Sequence, residues 1–264
     1  MKTYSIFDTH AHYDDEAFEP DRDGLLSSLQ GNGIGTVINV CASVGELGRT
    51  IALTEKYPFV YGAVGVHPDD ADKMTEQTLN EIRELSRREK ILAIGEIGLD
   101  YYWHKEEAAH EIQKKMFRAQ MDIAREEKLP FMIHSRDAAK DTLDIVKEYM
   151  DEGMYGGIIH CFSYGKEMAE QYLKMGLYLG IGGVVTFKNA KKLKEVVEYA
   201  PLEQLVLETD SPYLSPEPNR GKRNSSLNLP YVARAIGELK GISEEEVIRI
   251  TGQNAEKLLF HRIK

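Results

Sequence analysis

The sequence predicts an α/β protein, a single (β/α)8 barrel of the TIM type with an extra helix at its C-terminus. Three observations predict it. Short apolar runs alternate with charged, amphipathic stretches eight times along 264 residues, a length typical of one such barrel. Most of the apolar runs are rich in Val, Ile and aromatic residues, as strands buried on both faces are. The first run leads into Asp8-Thr9-His10-Ala11-His12, not into the glycine-rich phosphate turn that usually follows the first strand of an open doubly wound sheet.

Strands are expected at residues 4–9, 36–40, 60–66, 91–97, 130–134, 157–161, 177–181 and 204–208. Helices are expected at residues 21–30, 44–57, 76–88, 106–127, 138–150, 166–174, 190–199, 229–239 and 244–259. Ser243 followed by Glu246 has the spacing of a capping box for the last helix. Residues 215–228, rich in Pro, Ser and Asn, read as a functional loop or lid after the last strand. The chain has no linker, no low-complexity segment and no repeat beyond the βα period, so residues 1–264 are expected to form one domain.

Apolar residues make up 42% of the chain, enough for a full core, and charged residues 29%. Mean hydropathy is −0.40, as for a soluble protein. No apolar run approaches the ~18–20 residues of a membrane helix, and the first residues lack the apolar stretch of a secretory signal. Cys41 and Cys161 lie far apart and offer no disulfide framework, so reduced thiols in a cytoplasmic protein are expected. The net charge of −10 argues against a protein that coats long nucleic acid. It leaves room for recognition of a phosphate or a strand end, because bound cations can supply the missing positive charge. No obligate protein partner is evident, and an acidic, compact barrel is compatible with a monomer.

The chemistry gathers at the ends of the expected strands. In an extended segment, side chains two apart share a face, so His10 and His12 can reach one ion. Glu96 ends the fourth apolar run, His134 the fifth, His160 the sixth, and Asp210 follows the eighth. Each alone has an ordinary explanation: an ion pair for Glu96, core hydrogen bonds for the histidines, a turn cap for Asp210. In a barrel, however, all carboxyl ends of the strands converge on one mouth, where active sites lie. Several ionisable groups buried there need compensation, and metal ions supply it. A nitrogen and carboxylate set of this kind suits Zn²⁺, Mn²⁺ or Mg²⁺. Six ligands exceed one tetrahedral site; two divalent ions per chain, ~3.5–4 Å apart and sharing a carboxylate, fit better and activate a water. Cys161 directly follows His160 and is expected on the opposite strand face, out of the chemistry.

Several segments together resemble the signature segments of the TatD family of metal-dependent deoxyribonucleases, within the amidohydrolase-like barrels. They are Asp8-Thr9-His10-Ala11-His12, Gly65-Val66-His67-Pro68, Gly95-Glu96-Ile97-Gly98-Leu99-Asp100-Tyr101, His134-Ser135-Arg136, His160-Cys161-Phe162-Ser163 and Glu208-Thr209-Asp210-Ser211-Pro212-Tyr213-Leu214. The resemblance spans nearly the whole chain, in order. It implies that His10, His12 and Asp210 hold a first metal, that Glu96 bridges, and that His134 and His160 hold a second. Asp210 would also orient or deprotonate the attacking water. Where many amidohydrolase-like barrels bridge their metals with a modified lysine, the corresponding strand here offers Glu96. The implied substrates are DNA ends, with RNA as a variant, cleaved as by a 3′–5′ exonuclease. The alternative is an aminoacyl-tRNA ester, because the same chemistry serves carbonyl attack. The intact ligand set argues against a barrel kept only for binding.

Around this set, His67 reads as a phosphate or substrate contact. Arg136 either meets a phosphate bidentately or pairs with a nearby carboxylate. Tyr101, Tyr102 and Trp103 either stack a base or pack the barrel rim. Arg223 belongs to a small basic island, residues 220–224, that resembles the family's loop after the last strand and is expected to touch substrate. There the family usually continues with Glu-Pro and this chain with Ser225-Ser226, which bears on the loop's conformation and its substrate contacts.

Overall fold

The computed structural model describes residues 5–262. The strands are β1 (Ile6–Ala11), β2 (Ile34–Val40), β3 (Val60–Val64), β4 (Ile91–Asp100), β5 (Phe131–Arg136), β6 (Gly157–Ile159), β7 (Tyr178–Ile181) and β8 (Leu205–Leu207). They pair in parallel in chain order, β1 to β8. The sheet closes on itself through the segment after β8: Asp210 N donates to His10 O at 2.9 Å and His12 N to Ser211 O at 2.8 Å, and Ala11 bridges Ser211 in parallel. The expected barrel is present.

The helices are α1 (Arg22–Leu29), α2 (Leu47–Lys56), α3 (Glu76–Leu85), α4 (Glu107–Glu126), α5 (Ala139–Asp151), α6 (Lys166–Lys174), α7 (Lys191–Tyr199), α8 (Leu229–Lys240) and α9 (Glu244–Leu259). Each forms because its apolar residues recur at helical spacing and meet the outer face of the sheet. In α4, for example, Phe117, Met121 and Ala124 are buried while the intervening charges face outward. The barrel interior is a separate apolar cluster that joins Phe7, Ile38, Ala63, Ala93, Met132, Ile158 and Val206 to Ala255, Leu258 and Leu259 of α9. The extra helix therefore plugs the amino end of the barrel. Asn254 fixes it there by donating to the carbonyls of Leu202 and Leu205, both at 2.8 Å.

Several boundaries differ from the sequence reading. β4 runs on to Asp100 and β5 to Arg136, whereas β6 and β8 stop at Ile159 and Leu207. His160 and Glu208 thus stand just beyond their strands. Residue 4, where the first strand was expected to begin, lies outside the described residues. The capping box expected for α9 is half formed. Ser243 Oγ accepts from Glu246 N at 3.2 Å, but the Glu246 carboxylate turns to Arg249 Nε at 2.8 Å. The full reciprocal box occurs instead at α3, between Thr75 and Thr78. Among the described residues no helix is long and apolar enough to cross a membrane.

The loop after β8 is less free than a lid. Asn224 and Ser226 are buried. Asn224 Nδ2 donates to Thr209 O at 2.9 Å, and Ser215 Oγ to Lys222 O at 2.6 Å. Residues 215–228 are anchored at their two ends, at Ser215 and at Asn224 and Ser226, while residues 217–223 stay largely exposed.

Candidate metal centre

The carboxyl ends of the strands open into a cavity of about 780 Å³ whose lining includes His12, His67, Glu96, His134, His160 and Asp210. At its floor His10 of β1 meets His12, one residue past the strand's end: His10 Nε2 and His12 Nε2 are 3.2 Å apart. The Glu96 carboxylate lies at the centre, only 3% exposed. Its Oε2 is 3.3 Å from His10 Nε2 and 3.6 Å from His12 Nε2. Its Oε1 is 3.0 Å from His134 Nδ1 and 3.7 Å from His160 Nε2. Asp210 Oδ1 approaches His12 Nε2 at 3.3 Å and His160 Nε2 at 3.5 Å. One carboxylate thus faces two sets of imidazoles through its two oxygens.

Among the described residues four groups of donor atoms lie within 4.8 Å of one another: His10, His12 and Glu96; His10, His160 and Asp210; His67, Glu96 and His134; and, behind His160, the group of His160, Cys161 and Glu208. The grouping departs from expectation in one respect. His160 falls between the two sides, grouped with His10 and Asp210, and it is His67 that joins Glu96 and His134. The outer nitrogens explain which atoms face inward. His12 Nδ1 is 2.7 Å from Val40 O, and His160 Nδ1 is 3.1 Å from Glu208 Oε2. A carbonyl and a carboxylate only accept, so each ring keeps a proton outward and turns Nε2 to the centre. His134 is reversed, with Nε2 3.0 Å from Asp100 Oδ2 and Nδ1 facing Glu96. His67 is different again. Asp69 N donates to its Nδ1 at 3.2 Å, so its ring proton sits on Nε2 and that atom offers an N–H to the cavity, not a lone pair.

The electrostatics fit a cation. Burial alone would depress the imidazoles, but Asp210 and Glu96 lift His12 to about 10. Burial is likewise overcome at His160, raised to about 9 by Glu208, Glu96 and Asp210, and at His134, raised to about 9 by Asp100 and Glu96. Burial and the neighbouring His160 hold His10 down to about 4. Burial and His134 do the same to His67. Glu96 and Asp210 resist their burial and stay below the usual carboxylate range because of the surrounding histidines. The carboxylates thus favour positive charge among these imidazoles, as a bound cation would supply. His10 Nδ1, buried with no hydrogen-bond partner, is the one polar atom of the set left unsatisfied.

Three carboxylates stand behind the centre: Asp8, Asp100 and Glu208. Asp8 Oδ2 accepts from Thr209 Oγ1 at 2.8 Å and from Ser226 Oγ at 2.7 Å, bracing the end of β1 against the segment that carries Asp210. Burial, opposed by those bonds, pushes Asp8 up to about 7. The Ser226 hydroxyl, from the Ser225-Ser226 pair, completes this network. Glu208 accepts from His160 and from Cys161 N. Gly180 leaves it the space, since a Cβ there would stand 2.1 Å from Glu208 Oε2. Asp100 holds His134. Asp100 lies on the same strand as Glu96 and four residues after it, so period two could have found it; Glu208 could not be found that way, because β8 stops at Leu207.

The outer contacts are redistributed. Arg136 lines the cavity and has no ion pair among the described residues; its guanidinium lies 3.9 Å over the Tyr102 ring. Tyr101 and Arg223 stand outside the cavity lining. Tyr101 stacks on His110 and donates to Asp141 Oδ2 at 2.7 Å, because that carboxylate gives its hydroxyl a partner away from the mouth. Arg223 is bidentate to Asp21 at 2.8 and 2.6 Å and also reaches Ala17 O, so it ties the last loop to the first. Cys161 departs from expectation in the other direction. β6 ends at Ile159, the backbone at Cys161 takes φ 45°, and the residue lines the cavity. Burial and the nearby carboxylates push its thiol well above its usual range, so it stays protonated.

A closed parallel barrel with histidines and carboxylates gathered at its carboxyl mouth defines the class of metal-dependent barrel hydrolases. The family model of TatD-related DNases matches residues 7–260, and the chain belongs to that family. It is 45% identical to the uncharacterized metal-dependent hydrolase YabD of Bacillus subtilis, over 96% of this chain and 98% of the relative. It is 29% identical to a Salmonella typhimurium protein named 3′-5′ ssDNA/RNA exonuclease TatD, over 96% and 98%. The crystal structure of YJJV, a TatD homolog from Escherichia coli, superposes with a TM-score of 0.89 at 28% identity, covering 97% and 98% of the two chains.

Proposed function

We propose that this metal-dependent hydrolase is a phosphodiesterase that removes nucleotides from the 3′ ends of DNA, and of RNA, with two divalent ions per chain. The observation that carries the reading is Glu96, whose two oxygens face opposite imidazole sets. His10, His12 and Asp210 would hold one ion, His134 and His160 the other, with Glu96 between. When bound, the ions supply Lewis acidity that activates a water and offsets the charge developing at phosphorus. Asp210, kept ionised by the adjacent histidines, orients that water and accepts its proton at Oδ1. His67 donates its Nε2–H to a phosphate oxygen, and the unpaired Arg136 guanidinium meets a second. The name of the Salmonella relative supports this substrate class.

A second reading is hydrolysis of an aminoacyl-tRNA ester. The observation that favours it is the acidic wall of Asp14, Asp15 and Glu46 facing the cavity, which suits an α-ammonium group. One assay separates the two. Metal-reconstituted protein is incubated with end-labelled single-stranded DNA, with RNA and with a charged tRNA. The expected result is stepwise mononucleotide release from the 3′ end of DNA. Deacylation of the tRNA with DNA left intact would overturn the nuclease reading in favour of the ester.

A further inference from the structure

At the lip of the cavity the chain carries two exposed aromatic rings: Trp103, its single tryptophan, is 65% exposed and Tyr102 41%. The rings meet edge to face, with centroids 4.6 Å apart and planes at 85°. Arg136 lies 3.9 Å over Tyr102 and 5.6 Å from Trp103. Trp103 lines the cavity. The pair is held by a residue of the centre itself. Asp100 Oδ1 accepts from the backbone N–H of Tyr102 at 2.9 Å and of Trp103 at 3.2 Å, while its Oδ2 meets His134 Nε2 at 3.0 Å. One buried carboxylate therefore sets both the orientation of His134 and the position of the aromatic pair.

We infer that Trp103 and Tyr102, with Arg136 stacked against them, form a platform that receives an unpaired nucleobase of the substrate. This rests on the phosphodiesterase reading above and narrows it to single strands and frayed ends. The occupant follows from the chemistry. A planar base offers a π-face to the indole, and the guanidinium, without a carboxylate partner in a chain of net charge −10, is free to meet the flanking phosphate. A base inside a duplex has both faces covered by its neighbours and cannot stack there. The platform selects strandedness, not sequence, because every base has a π-face.

Trp103 reports its own occupancy by fluorescence. Metal-loaded protein is titrated with a hydrolysis-resistant phosphorothioate oligothymidylate, with an abasic strand of the same length, and with the oligothymidylate held in a duplex. Saturable quenching by the single strand is expected, with the abasic strand and the duplex binding about ten-fold more weakly. Trp103→Ala, at so exposed a position, should leave the fold intact and weaken single-strand binding, read by anisotropy, by about ten-fold; Trp103→Phe should restore most of it. Equal affinity for the abasic strand, or a Trp103→Ala protein that binds as tightly as the parent, would overturn the platform. Unmodified oligothymidylate separates the two readings. Turnover with an unchanged KM in Trp103→Ala sinks the platform and leaves the phosphodiesterase standing. Failure of the parent protein to cleave any oligonucleotide sinks the phosphodiesterase, and the platform with it.

Discussion

Glu96→Ala should lower hydrolysis by about a thousand-fold or more and strip bound metal in the same step. Among the described carboxylates Glu96 is the one placed against His10, His12, His134 and His160 together, whereas Asp210 meets only His12 and His160. Without it, His10 and His12 lose the oxygen at 3.3 and 3.6 Å, and His134 loses its inner partner at 3.0 Å. Glu96→Gln keeps the volume and removes the charge. It should retain the fold and some metal, with activity still far below the parent. Elemental analysis beside the rate measurement distinguishes loss of ions from loss of chemistry. A Glu96→Ala protein that kept both its metal and a tenth of its rate would remove Glu96 from the role given to it here.

Gly98→Ala should be the most destabilising small substitution in the site, by about 3 kcal/mol or more. Gly98 takes φ +142°, a region that residues with a side chain rarely enter, and a Cβ there would stand 2.0 Å from His134 O. The clash is with backbone, so no rotamer relieves it. Gly98 is also the register partner of His134 in the β4–β5 ladder. Relief therefore means parting the two strands that carry Glu96, Asp100, His134 and Arg136. Urea or thermal unfolding should report the loss, and metal content should fall with it. Stability within about 0.5 kcal/mol of the parent, the range of an ordinary surface substitution, would show that the close approach has no such weight.

How much of this was legible in the sequence follows from how local each signal is. The strands could be read because burial on both faces demands continuous apolar runs such as those around Ile38, Ile94 and Ile133. The rim could be read because His10, Glu96, His134, His160 and Asp210 each stand at the end of such a run, and barrel closure brings those ends together. Contacts set by pairing at long range could not. Arg223 read as a substrate contact because it sits in a small basic island after the last strand, and its pairing with Asp21, about two hundred residues away, leaves no local trace. Tyr101 and Trp103 are two residues apart and chemically alike. Only the position of Asp141 turns the first away and leaves the second at the cavity. Cys161 was misplaced because strand alternation was extended past Ile159, where the strand had stopped. The protonated nitrogen of His67 was hidden for a related reason, since it depends on a turn in which Asp69 N donates to the ring.

The central claim is that the His10, His12, Glu96, His134, His160 and Asp210 set holds two ions that share Glu96. Counting metal per chain tests it most directly. Apo protein reconstituted with Zn²⁺ or Mn²⁺ and freed of excess should carry two ions per chain by elemental analysis, and His134→Ala should bring the value close to one while leaving the His10–His12–Asp210 side filled. A parent protein that saturates at one ion, with His134→Ala unchanged from it, would contradict the two-ion account.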